Sequence, residues 1–232
     1  MLRKIVTRFA QTARAEGLGA ACSRAFSVIR REILKQPPDS FDLTHGTDTT
    51  RIVDLWHLSI PYQTARVGER YQAVDPARLE EALAHLPIDF REFTFIDLGC
   101  GKGRALIMAC EKGFRRVIGV EFSAKLAELA RCNLNTVGFL NVELVTGDAA
   151  DFVFPNEPLV LFLYNPFGAA VLEKVLDHLA ERSAYIIYVS PLHASVVNAR
   201  MRLLYTGHAV RVWATQRIEC RGQSGRDSFA TE

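Results

Sequence analysis

Asp97, the glycines at every second position from Gly99 to Gly103, and Glu121 are the residues of this chain whose types and spacing can do chemistry together. Glycine loses more freedom than any other residue when it is ordered, so a cluster this dense needs a reason. The cluster follows the apolar run "FTFIDL" and precedes "RALIMACE", whose pattern is helical. A glycine loop at such a junction lets a ligand lie against the backbone, and the free N–H groups of the helix's first turn favour a negative group. Glu121 closes the next apolar run, "RVIGVE", where a carboxylate can accept from both hydroxyls of a ribose. The loop alone is a weak signal. The acidic strand end is a second, independent one, and together they predict a nucleoside-containing cofactor.

These residues need a frame that sets strand ends side by side. From residue 93 onward short apolar runs alternate with helical patterns. Strands are predicted over 93–98, 116–121, 141–147, 158–165 and 184–190, and helices over 103–113, 123–138, 169–182 and 194–204. Two closing strands are predicted over 208–216 and 225–232. Runs that are apolar throughout suit a parallel sheet covered on both faces. The alternation predicts an α/β fold, a doubly wound, mostly parallel seven-stranded sheet with helices on both faces. Ligands bind such sheets beyond the carboxyl ends of the strands, where Leu98 hands over to the glycines. Upstream, residues 2–35 carry apolar positions at helical spacing, split by Gly17 and Gly19, and "QPPDS" at 36–40 reads as a linker. "RIVDLWHLSI" predicts a turn or two of helix. "PARLEEALAHL" predicts a fuller one, with Asp75 as cap and Pro76 near its first position. The chain divides into a basic amphipathic helical extension (1–38), a connecting helical region capping the cofactor site (39–92) and a Rossmann-like core (93–232).

The choice of cofactor turns on spacing. A dinucleotide loop needs G-x-G-x-x-G, which would put its third glycine at position 104, and that residue is Arg104. An acid two residues before the loop suits a cationic amino-acid moiety better than a pyrophosphate. Here Asp97-Leu98-Gly99-Cys100-Gly101-Lys102-Gly103 resembles the first motif of the class I S-adenosylmethionine-dependent methyltransferases, and the likeness runs over roughly residues 70–232. The resemblance implies that the loop residues Gly99, Cys100, Gly101 and Gly103 pack under the methionine part of S-adenosyl-L-methionine while Asp97 supports its amino group. It implies that Glu121 takes the ribose hydroxyls, that Phe122 covers the adenine, and that Asp148 and the Ala149 backbone in "GDAADF" meet the ring. "YNPFG" at 164–168 stands where the family places substrate-facing residues. Asn165 is the candidate for holding the acceptor, because Asn-Pro at a strand end offers two carbonyls to an amino group. The stretch resembles the Asn-Pro-Pro-Tyr motif of enzymes acting on nitrogen, one proline short. A nitrogen acceptor, in a protein or a small molecule, is therefore the favoured expectation. The blander roles are a turn for Asn165 and Asp148, core for Phe122, a cap for Asp151 and backbone alone for Cys100. An NAD-linked oxidoreductase and a non-catalytic cofactor-binding protein are the competing readings.

Composition sets the outer bounds. The chain has 232 residues, 49% of them apolar, and a formal charge of +2, which is too small to argue for nucleic acid. Residues 1–35 alone hold a net +6, so the rest is acidic. Such a basic amphipathic segment fits packing as a cap, an anionic membrane surface or an acidic partner. Five cysteines without a CxxC pair fit reduced thiols and a cytoplasmic protein. The six histidines show no metal-ligand spacing, so no metal is expected. Neither a membrane span nor a secretory leader is expected.

Overall fold

The structure is a computed structural model that describes residues 37–50, 72–165 and 167–218. Seven strands, β1 (Thr94–Leu98), β2 (Arg116–Glu121), β3 (Glu143–Thr146), β4 (Leu159–Leu163), β5 (Ala184–Val189), β6 (Arg202–Thr206) and β7 (Val210–Ala214), form one sheet in the order β3-β2-β1-β4-β5-β7-β6. All neighbours are parallel except around β7, which runs antiparallel to both β5 and β6. The helices among the described residues are α1 (Ser40–His45), α2 (Pro76–Ala84), α3 (Arg104–Glu111), α4 (Ala124–Thr136), α5 (Ala169–Leu179) and α6 (Ala194–Asn198). This is the doubly wound, mostly parallel seven-stranded α/β sheet expected from the alternation.

The central strands are apolar throughout because both faces are covered. Phe95, Val117, Val160, Phe162, Tyr185 and Ile187 pack with Leu79 and Leu83 of α2 and Leu106 and Ile107 of α3. The alternate residues Ile96, Ile118, Leu161, Ile186 and Trp213 pack with Leu172 and Val175 of α5 and Val197 of α6. The period of two along each strand thus sorts side chains between two cores. The two edge strands, β3 and β6, are covered least, and their residues are exposed or half-buried. Asp75 caps α2 by accepting from the Ala77 N–H at 3.1 Å, with Pro76 at the first helical position. No described helix is long and apolar enough to cross a membrane.

Two expectations are corrected. The helix predicted over 194–204 ends at Asn198, and Arg202–Thr206 is strand β6. Val197, Met201 and Leu204 do fall at helical spacing, but a non-local partner overrides it. Gly207 turns the chain, its N–H donating to the Val210 carbonyl at 2.8 Å, and β6 folds back onto β7. Tyr205 locks the hairpin from outside, donating to Glu81 at 2.6 Å and stacking on His85. The strand over 208–216 is therefore the seventh rather than the sixth. The linker read over 36–40 is also shorter than expected, since Ser40 begins α1 and Asp39 caps it through the Asp42 N–H at 3.0 Å. The helices predicted over 2–35, the turns over 51–60 and the strand over 225–232 lie outside the described residues.

Candidate functional site

The glycine loop is a compact bend folded against the end of β2. The Gly99 and Cys100 N–H groups both donate to the Val120 carbonyl, at 2.8 and 3.1 Å, and the Gly103 N–H donates to the Cys100 carbonyl at 2.8 Å. Gly99, Gly101 and Gly103 all have left-handed backbone, with φ of 86°, 52° and 85°. A side chain at Gly103 would also meet Ala130 of α4 at 3.2 Å. Backbone conformation thus demands the glycines before any ligand is considered. Gly103 then serves as the N-terminal cap position of α3.

Glu121 braces this bend. One of its oxygens accepts from the Gly101 N–H and the other from the Ser123 N–H, both at 2.8 Å. A carboxylate has about four lone-pair sites, so both oxygens can still accept from other donors. Burial raises the Glu121 pKa, partly offset by the Ser123, Gly101 and Phe122 N–H groups. Asp97 on the neighbouring strand is 4% exposed and accepts no hydrogen bond from a described residue. Burial pushes its carboxyl well above the ordinary range, and the Glu121 charge adds to the effect. Two nearly buried acids whose charges act on each other make a site that attracts a cation and hydroxyl donors. The Cys100 thiol is likewise pushed up, by burial first and then by the charges of Asp97 and Glu121. Its sulfur lies 2.8 Å from where a Gly119 side chain would stand, so it packs inward and presents only backbone to the loop's outer side.

The remaining predicted residues gather at the same edge. Phe122 follows Glu121 and is 37% exposed, so it is not core. Asp148 caps a short 3-10 turn over Ala149–Asp151 by accepting from the Ala150 N–H at 2.9 Å, and Ala149 is buried. The turn is tied to β2 by the Gly147 N–H, which donates to the Glu121 carbonyl at 3.1 Å. Asp151 lies within the turn rather than capping it.

Asn165 follows β4, beside the loop after β5. Its side-chain N–H donates to the Ser190 carbonyl at 2.6 Å, and its side-chain carbonyl accepts from the Leu192 N–H at 3.4 Å. The amide expected to face a substrate freely is thus partly committed to the neighbouring loop. Asn165 (φ 43°) and Ser190 (φ 49°) are the non-glycine residues with left-handed backbone among those described. Strain of this kind persists where surrounding contacts enforce it, and here the two strained residues hold each other. Arg78 of α2 reaches the same point, donating to the Ser190 hydroxyl at 3.4 Å.

Sequence reasoning missed Ser190, Arg78 and a polar cluster at the foot of α3. Arg104 is 4% exposed and is held by Asp39, Thr49, Thr50 and the Val74 carbonyl. Lys102 is 2% exposed and pairs with Asp48 at 3.5 Å. Two signals were available. Ser190 ends an apolar strand on the ligand-binding side, and Asn133 is a polar residue on the buried face of an otherwise apolar helix stripe.

Residues 95–186 match the family described as "Methyltransferase domain". Among curated proteins the chain is 33% identical over 102 residues to the tRNA (uracil(54)-C(5))-methyltransferase of Schizosaccharomyces pombe, covering 41% of this chain and 19% of that one. It is 32% identical over 103 residues to the trans-aconitate 2-methyltransferase of Azoarcus sp. (strain BH72), covering 43% and 39%. The match therefore spans well under half the length of these relatives. Among solved structures, an RNA methyltransferase from Salinibacter ruber in complex with S-adenosyl-L-homocysteine superposes with a TM-score of 0.48 at 22% identity, over 62% of this chain and 92% of that one. The segment from β1 into β5, which carries the glycine loop and Glu121, is therefore similar to a methyltransferase domain.

Proposed function

We propose that the protein transfers a methyl group from S-adenosylmethionine to an acceptor that approaches over the ends of β4 and β5. One observation carries the cofactor reading. Asp97 is a nearly buried carboxyl on β1, raised in pKa by burial and by the Glu121 charge, two residues before a left-handed glycine bend. A site built this way is incomplete until a cation sits over it, and an α-amino group beside a nucleoside supplies one. The residues present fit S-adenosylmethionine. Asp97 would hold its amino group, Glu121 its ribose, and Gly99, Cys100, Gly101 and Gly103 would pass under it. Phe122, Asp148 and Ala149 would border its adenine.

The cofactor, when bound, supplies the electrophilic methyl group, so the protein's task is alignment and the exclusion of water. Glu121 fixes the loop and the ribose from one carboxylate. Asn165, braced on Ser190, sets the wall along which an acceptor must approach. A nitrogen acceptor is favoured because the Asn165 side-chain carbonyl bonds Leu192 only at 3.4 Å and has a lone pair to offer.

Ligand-dependent melting tests the reading. S-adenosylhomocysteine at 100 times its Kd should stabilise the protein by about 2.7 kcal/mol. For a chain of this size that raises Tm by roughly 5–10 °C. NAD should leave Tm unchanged. A shift with NAD and none with S-adenosylhomocysteine would overturn the assignment.

A further inference from the structure

The glycine loop is gripped from outside by a segment far from it in sequence. Arg104, the first residue of α3, sits over Phe41 with its guanidinium carbon 4.8 Å from the ring centre. Its Nε donates to the Thr49 hydroxyl at 2.8 Å and its Nη2 to the Thr50 hydroxyl at 2.9 Å. Its Nη1 pairs with Asp39 at 2.8 Å and donates to the Val74 carbonyl at 3.1 Å. Asp42, 2% exposed, completes the knot by accepting from the hydroxyls of Thr47 and Thr49 and the N–H groups of Thr49 and Thr50. One residue before Gly103, the Lys102 carbonyl accepts from Asn133 Nδ2 at 3.0 Å. The same Asn133 receives the Asp48 N–H on its carbonyl at 3.0 Å.

We propose that residues 39–50 are a strap whose grip on Lys102 and Arg104 sets how tightly the loop holds its cofactor, with Asp42 and Arg104 as positioning residues. The proposal rests on the S-adenosylmethionine reading above. The geometry supports coupling rather than mere coverage, because the strap's polar contacts converge on the residues either side of Gly103. Those two residues flank Gly103, a left-handed position of the bend on which the cofactor would lie. Releasing the strap would also return Arg104 and Asp42 to water together, since each is buried against the same threonines. Strap docking and loop shape therefore form one equilibrium, and a ligand that needs the shaped loop must favour the docked strap.

The test uses the full chain with S-adenosylhomocysteine as probe, by calorimetry, melting and hydrogen exchange. Arg104→Lys keeps the charge and loses the fork, and it should weaken binding about tenfold or more. Thr49→Val removes the hydroxyl that joins Arg104 to Asp42 at little cost in volume, and it should weaken binding several-fold while the chain stays folded. In the wild type, saturating ligand should slow amide exchange over residues 42–50. Arg115→Ala, which loses an ion pair with Glu157 at the opposite end of the sheet, should bind as the wild type does. Wild-type affinity in Thr49→Val, or exchange over 42–50 that ignores the ligand, overturns the strap's role and leaves the cofactor reading intact. A wild-type chain that binds no S-adenosylhomocysteine overturns both.

Discussion

On the β1–β2 side of the crevice the left-handed backbone is taken by glycines, and on the β4–β5 side it is taken by Asn165 and Ser190. The first side is held by its own backbone hydrogen bonds, by the brace from Glu121 and by the contacts of residues 39–50 with Lys102 and Arg104. The second is under tension. A non-glycine residue in this region costs about 1–2 kcal/mol, least for asparagine, whose short polar side chain can bond locally. That cost is met by Asn165 bonding Ser190, and by the Ser190 N–H donating to the Ala209 carbonyl at 2.6 Å. The contrast teaches where each half draws its specificity. On the proposed function, a relaxed glycine cradle suits a ligand recognised through backbone and two acids, whereas a strained side-chain brace suits the half proposed to meet the acceptor.

The largest expected effect tests the strained half. Asn165→Ala should lower turnover by roughly 10²-fold or more, the scale seen when reacting groups are misplaced, while cofactor affinity stays within a few-fold. Label transfer into a fractionated lysate measures the first and calorimetry the second. Normal labelling would reduce Asn165 to a turn residue.

Glu121→Ala should act on the other half alone. Charged hydrogen bonds contribute about 1.5–3 kcal/mol each, so losing the loop brace and the ribose partner should weaken S-adenosylhomocysteine binding at least tenfold, with the chain still folded. Unchanged affinity would remove Glu121 from the site.

A matched pair of substitutions sharpens the comparison through stability. Gly103→Ala should cost about 1–2 kcal/mol for its left-handed backbone, a fall in Tm of roughly 2–8 °C, with the 3.2 Å approach to Ala130 adding to it. Ser190→Gly should leave Tm level or raise it by up to roughly 3 °C, because relieved strain offsets glycine's greater freedom when unfolded. Equal losses at both positions would erase the distinction between the halves.

The smallest effect concerns pH and belongs to the cradle. Asp97 is raised in the free protein, so the stability it contributes is fully present below the ordinary carboxylate pKa and is lost as pH rises through its raised value. An ammonium partner would lower that value again, so binding should release a proton. S-adenosylhomocysteine affinity should therefore rise with pH between the ordinary and the raised values and then level off. Calorimetry at several pH values, in buffers of different ionisation enthalpy, reads both quantities. Flat affinity without proton release would mean that Asp97 does not meet the amino group.

The cradle was legible because its backbone forces a residue type. A left-handed bend after a buried strand leaves little choice but glycine, so the conformation is written in the sequence. Asp97 and Glu121 were legible for a related reason, since acids closing apolar strands stand out. Ser190 gave only its place at the end of an apolar strand, because serine is ordinary there and its φ of 49° is held by bonds to Asn165 and Ala209, which come from elsewhere in the chain. Arg104 showed itself only as the residue that breaks the dinucleotide spacing. Its partners Asp39, Thr49 and Thr50 lie more than fifty positions upstream, in the linker and the start of the connecting region. Strand β6 was hidden by coincidence, as Val197, Met201 and Leu204 satisfy a helix period while Gly207 selects a hairpin.

The insertion of β7 between β5 and β6 has a consequence for how the chain comes to be finished. Strands β1 to β4 can pair as they emerge, each beside one already made, but β5 keeps a bare row of amides and carbonyls until residues 210–214 arrive. Until then the growing sheet ends in an apolar rim, the kind of edge that recruits strands from other molecules. The hairpin closes that rim and substitutes β6, an edge interrupted by a register shift between Leu203 and Tyr205 that makes a poor template for a foreign strand. Shortening the chain to residue 200 should therefore yield self-association before it yields loss of helix, with light scattering rising while the far-ultraviolet spectrum is still largely kept.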